Sequence, residues 1–198
     1  MALASVSNFI ANLDSRKGNS RSDRFYVQFS VPNQLTPYLQ NYVQSLTFQC
    51  YTSELPGQAL ETAVYRTYGP PKEIPTIRVY NFISFSIYCS NLFFEKPFFD
   101  AWIEFINPRN TGWDFRYKDD YVTDLNIVQL GLTDDSPIYS VKLVRAFPKV
   151  VSPLPQNWED GDIHILDVSF VYEKYEPLVD TIANKMTNDI TSLFSNIA

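Results

Sequence analysis

The chain has 198 residues, of which 45% are apolar and 19% charged, and its net charge is −6. That length supports one domain with a sizeable core, and that balance excludes a disordered chain. The negative charge excludes a protein that grips nucleic-acid phosphates, though not one that lets DNA slide past.

Leu3, Val6, Phe9, Ile10 and Leu13 fall at helical spacing, which predicts a short amphipathic helix. Residues 14–24, DSRKGNSRSDR, hold four of the sixteen basic residues and read as a mobile arm or linker. RFYVQFSV is the first strong strand, with Phe25, Val27, Phe29 and Val31 on one face, and Pro32 ends it. A second strand is expected over 43–52, where Leu46, Phe48 and Cys50 alternate with polar residues. Residues 53–75 then read as an irregular Pro/Gly-marked loop, with room for a small hairpin near Ala63–Tyr68.

TIRVYNFISFSIYCS, residues 76–90, predicts the longest strand. Ile77, Val79, Ile83, Phe85, Ile87 and Cys89 share one face, with Tyr80, Phe82 and Tyr88 on the other and Ser84 and Ser86 between them. A strand apolar on both faces needs cover on both. KPFFDAWIEFINP predicts a helix, with Pro97 in its first turn, an apolar stripe of Phe98, Phe99, Trp102, Phe105 and Ile106, and Pro108 as its stop. Short strands follow at 113–118 and 121–130, a turn at Gly131–Pro137, and a strand over SPIYSVKLVRAFP. After a proline-broken connection comes DIHILDVSFVYEKYEP, with Leu166, Val168, Phe170 and Tyr172 on one face and Pro177 closing it. Leu178, Ile182, Met186, Ile190 and Phe194 recur every fourth residue and predict a terminal amphipathic helix.

This order predicts an α+β, mainly β fold: an antiparallel β-barrel or sandwich with one flanking helix, an N-terminal arm and a C-terminal helix. Signs of catalysis are sparse. His164 stands alone in a strand without ligand-spaced partners. Cys50 and Cys89 sit on apolar segments as small buried residues do. No GxSxG, Walker or GxGxxG pattern occurs, and six glycines leave little for a phosphate cradle. Asp119-Asp120, Asp134-Asp135 and Glu159-Asp160 with Asp162 fall in predicted turns, where solvation explains them. An enzyme is therefore not expected, nor a cofactor or metal. No secretory signal or membrane anchor is visible, so synthesis in the cytoplasm is the expectation.

Three segments, LTFQCYTSELPGQAL, FFDAWIEFI and AFPKVVSPLPQNWEDGDIHILDVSFVYEKYE, resemble in order and spacing the tail tube proteins of T-even-type contractile bacteriophages. Together they span about residues 24–176. The resemblance implies a β-barrel or sandwich whose copies form hexameric rings, stacked into a hollow virion tail tube inside a sheath. Its implied partners are copies of itself, the sheath, the tape-measure protein, baseplate and tail-terminator proteins, and viral DNA passing without sticking. It also implies a long loop that reaches an adjacent ring, carried here onto Leu55, Pro56, Gly57, Tyr65, Tyr68, Pro70 and Lys72. The domain reading is an arm over 1–23, a tube domain over 24–176, and a helix over 177–198 packed through its stripe. Because arm and helix exceed the shortest members, a baseplate tube initiator of the same fold is an alternative. A tube from a contractile injection or type VI secretion system is another, and a free-standing binding module or enzyme is a third.

Overall fold

A computed structural model of the chain describes residues 6–15, 18–66, 68–132, 135–159 and 161–178. Helix α1 (Val6–Ser15) precedes β1 (Phe25–Gln28). Helix α2 (Thr36–Gln49) leads into β2 (Cys50–Ser53), followed by β3 (Gln58–Tyr65), β4 (Lys72–Tyr80) and β5 (Ile83–Tyr88). Helix α3 (Glu95–Ile106), a 3₁₀ turn at Arg109–Thr111 and the short α4 (Lys118–Tyr121) come next. The chain then adds β6 (Thr123–Leu130), β7 (Pro137–Val151), β8 (Ile165–Val171) and β9 (Lys174–Pro177).

The main sheet is antiparallel, in the order β1-β6-β7-β8-β5-β2, with β9 beside β7. Its pivot is β7. The first part of β7 pairs with β6 and β9, and Phe147 onward pairs with β8. Between those parts Arg145 has φ 56, and the ladder shifts register at Thr123/Leu125 and Pro148/Val150. Such bulges bend and twist a strand, and here they separate the stretch that pairs with β6 from the stretch that pairs with β8. β1 and β2 end up close together without exchanging a ladder. The expected mainly β, antiparallel arrangement is present, and of barrel and sandwich it is the barrel that is not closed, because the two end strands stop short of pairing.

The period-two residues of the sheet build one core. Val27, Ile83, Phe85, Ile87, Ile127, Leu143, Leu166, Val168 and Phe170 are all buried in it. Phe170 lies at its centre, with ring centroids 5.5 Å from Phe85, 5.9 Å from Trp102 and 6.1 Å from Phe99. These edge-to-face contacts add to the area term that dominates a core of large rings. Helix α3 supplies Phe98, Phe99, Trp102 and Ile106, as its stripe predicts. Trp102 Nε1 donates to the Tyr121 carbonyl at 3.0 Å, so the buried indole keeps a partner.

Several expectations need correction. LTFQ is the last turn of α2, not a strand. Leu35, Leu39, Val43, Leu46 and Cys50 recur every three or four residues and meet the core, while Phe48 is 87% exposed. Pro37 sits in the first turn, where its missing N–H costs nothing. The four-residue alternation that suggested a strand was the end of this longer helical period, so α3 is not the single interior helix. The long strand over 76–90 breaks at Asn81-Phe82 into β4 and β5. The second face of β5 is also not uniformly apolar, since Ser84 bonds Ser169 (3.0 Å) and Ser86 donates to Asp167 (2.6 Å). Residues 113–117 form no strand, Trp113 having a left-handed φ of 69, and Lys118 with Asp119-Asp120 lies in α4 rather than in a strand or turn.

The polar arm is anchored at its inner end. Gln129 donates to the Arg21 carbonyl (2.7 Å), and Arg24 binds the Leu132 carbonyl and Asp135. At the other terminus Pro177 does not start a helix. It pairs with Val141, and the Leu178 N–H donates to Ser140 at 2.9 Å, extending the ladder. Ile182, Met186, Ile190 and Phe194 lie outside the described residues.

Candidate assembly surfaces

Residues 53–75 prove not to be an irregular loop. Together with the residues up to Tyr80 they form a separate two-stranded hairpin, β3–β4, paired from Gln58↔Tyr80 to Tyr65↔Lys72. Gly69 has φ 89 in the connection, a backbone angle that glycine adopts without a Cβ clash. Pro75 lies inside β4 beside the register shift at Glu61/Thr62, where a missing donor is tolerated. The prolines and glycines that suggested a loop thus mark a turn and a bulge.

No residue of the described part of this hairpin is buried. Tyr68 is 100% exposed and Ile77 61%. Paired residues share a face, so Ala59, Ala63, Tyr65, Ile74, Ile77 and Val79 form one predominantly apolar side, interrupted by Glu61 and Lys72. Leu60, Val64, Thr62 and Glu73 lie on the other, where Thr62 Oγ1 donates to Glu73. Two-stranded ribbons are marginal alone in water. One with this much apolar surface left open by the described residues is a candidate docking element.

The residues singled out from sequence fall at its two ends. Leu55, Pro56 and Gly57 form the link from β2 to its base, while Tyr65, Tyr68, Pro70 and Lys72 ring its tip. Sequence reasoning missed the middle, namely Leu60, Val64 and Ile74. The alternation in QALETAVY was a legible signal, hidden by its alanines and by Pro75 opposite.

A second surface lies at the connection from β7 to β8. Leu154, Pro155, Trp158, Asp162, Ile163 and His164 line an open depression of about 650 Å³. His164 is half-buried, with its ring 6.0 Å from Phe93. A third exposed group, Trp113, Phe115 and Tyr117, lies between the 3₁₀ turn and α4.

Charged groups elsewhere tie the frame together. The Arg145 N–H donates to Asp124 (3.0 Å), and its guanidinium meets Asp119 (2.6 Å) and Glu173 (2.9 Å). Lys142 pairs with Asp124 and Lys118 with Glu173. Desolvation pushes the Asp124 carboxyl up, but hydrogen bonds from Lys142 and the Arg145 N–H, with both charges, hold it below the ordinary range. The hydrogen bond from Lys118 does most to lower Glu173. This network braces α4 and β6 against the bend of β7.

The thiols are poor nucleophiles. Burial pushes Cys50 up to about 12, and burial with the nearby Glu95 charge raises Cys89, so both stay protonated at neutral pH. Among the described residues, no group of three His, Cys, Asp or Glu side chains is placed to hold a metal. None of the described helices is long and apolar enough to cross a membrane.

Similar folds occur among solved structures. The tube-terminator structure of an extracellular contractile injection system (PVC) aligns with TM-score 0.58 at 14% identity, covering 81% of this chain and 97% of that one. The anti-feeding prophage baseplate gives 0.57 at 12%, covering 81% and 95%. The PVC sheath–tube complex gives 0.55 at 14%, covering 89% and 99%. At such identities these likenesses show a shared fold. No curated protein matches the chain. The family model described as phage tail tube protein matches residues 20–177, most of the chain and the whole of the main sheet and hairpin. The chain belongs to the phage tail tube protein family, whose members are structural proteins of the tail tube.

Proposed function

We propose that this protein is the repeating subunit of the inner tube of a contractile phage tail. Copies close into hexameric rings, and the rings stack into a tube in the virion tail that conducts DNA. The sheath surrounds it, the tape-measure protein occupies it during assembly, and baseplate and terminator proteins meet its ends. The β3–β4 hairpin is the joint between rings, with Leu55, Pro56 and Gly57 at its root and Tyr65, Tyr68, Pro70 and Lys72 at its tip. Residues 24–176 build the ring, and the segment after them packs on it through Leu178, Ile182, Met186, Ile190 and Phe194.

The observation that carries this reading is the hairpin itself, which lies within the stretch matched to the family and whose apolar residues, its base at Tyr80 apart, find little cover among the described residues. A heterologous contact between copies supplies that cover and closes a ring or extends a stack. The net charge of −6 suits a conduit, because a wall that attracted phosphates would slow the DNA it passes. Sedimentation velocity and negative-stain imaging of the purified protein should show rings and rods. A stable 22.9 kDa monomer at high concentration would overturn the reading. In a mobility-shift assay at physiological salt, duplex DNA should not be retarded.

One alternative is a tube initiator at the baseplate, since a baseplate structure shares the fold about as well as the tube and terminator structures do. Copy number per particle decides between them. Quantitative mass spectrometry of intact virions should find many rings' worth of this chain, whereas a single ring's worth identifies the initiator.

A further inference from the structure

The hairpin is a basic island on an acidic chain. Residues 58–80 carry Arg66, Lys72 and Arg78 against Glu61 and Glu73, a net +1 where the whole chain has −6. Arg66 and Lys72 flank the tip on either side of the fully exposed Tyr68. Neither makes an ion pair among the described residues.

The depression after β7 has the opposite character. Residues 152–164 contain Glu159, Asp160 and Asp162 and no lysine or arginine. Its apolar lining includes Leu154, Pro155 and Ile163, and Trp158 stands fully exposed at its rim. Many other carboxylates are already answered: Asp119 and Glu173 by Arg145, Asp124 by Lys142, Asp135 by Arg24, Asp100 by Lys96 and Glu104 by Arg109. Glu159 and Asp162 have no such partner among the described residues; Asp162 lines the depression, whose wall is mixed polar and apolar, and Glu159 follows its lining residue Trp158 in the chain.

We propose that the hairpin tip of one copy seats in the 154–165 depression of a second copy. Tyr68 enters against Trp158 and Ile163, and Arg66 and Lys72 face Glu159 and Asp162. The seat rests on the tube reading and names where the joint lands. Aromatic burial supplies its affinity, and the charge pairs set its register and exclude other surfaces. A seat built this way is also salt-sensitive, since exposed pairs are screened.

The test is a charge swap. One variant carries Arg66→Glu with Lys72→Glu, a second carries Glu159→Lys with Asp162→Lys, and a third combines all four. Rod length and sedimentation are measured at low salt. Each two-residue variant should lose at least about tenfold in mean rod length through like-charge contacts. The four-residue variant should recover most of it, and that recovery also shows that the substituted chains fold. If both two-residue variants assemble as the wild type does, or if the combination recovers nothing, the seat is wrong while the tube reading stands. If the wild type forms neither rings nor rods, both fall.

Discussion

Strands β4 and β5 are separated by two residues and carry the same alternating chemistry, yet their fates are opposite. Ile77 in β4 is 61% exposed, whereas Ile83 and Phe85 in β5 are 2% and 0% exposed. β5 lies between β2 and β8 and faces α3 through Phe85, Phe170 and Phe99, so its own chain supplies the second layer. Among the described residues β4 pairs with β3 alone, and its last residue, Tyr80, packs on Tyr172 and Tyr175. An apolar alternation states that a face must be covered. It does not state which molecule covers it.

The sharpest way to break this contrast is to remove the hairpin. Gln58 and Tyr80 are ladder partners, so an Asn-Gly turn in place of residues 59–79 spans the gap. The subunit should keep its circular dichroism and melting temperature nearly unchanged and form no long tubes. Normal polymerisation of that variant would show that the hairpin is not the joint.

The converse experiment strikes the body. Phe170→Ala opens a cavity among Phe85, Phe99 and Trp102 and should cost about 3–5 kcal/mol in chemical denaturation. A loss below about 1 kcal/mol would mean that the ring cluster is not the centre of the core.

A smaller effect separates the bend of β7 from the rest by pH. The folded-state carboxyl of Asp124 is held low, so its contribution is present above the ordinary carboxylate range and disappears as pH falls through the folded value. Glu173 acts in the same sense. The melting temperature should therefore drop below about pH 4. Asp124→Asn should be less stable than the wild type at pH 7 and show a shallower acid slope. An unchanged slope would place the acid sensitivity elsewhere.

The smallest expected effect completes the comparison. Ile77→Ser should change subunit stability by no more than about 0.5 kcal/mol, since the side chain has no cover to lose. The same variant should shorten tubes. A large loss of monomer stability would mean that the hairpin packs on its own body in solution.

The sequence by itself determined those elements whose period runs long enough to be unambiguous. Phe98, Phe99, Trp102 and Ile106 repeat over three turns, and α3 appears where they place it. Leu166, Val168, Phe170 and Tyr172 alternate over seven residues, and all four are buried. The family resemblance was legible in the same stretches. Tertiary structure decided the rest. Leu46, Phe48 and Cys50 alternate over five residues, but Leu46 and Cys50 also continue the helical period from Leu35, and the structure takes that one, leaving Phe48 outside. Whether the sheet closes depended on β1 and β2, more than twenty residues apart, and a bend fixed at Arg145 leaves them adjacent but unpaired. For the candidate joint, the turn residues marked its ends. Its strands became visible only once Gln58 to Tyr65 met Lys72 to Tyr80, because backbone pairing is a relation between segments that no local period encodes.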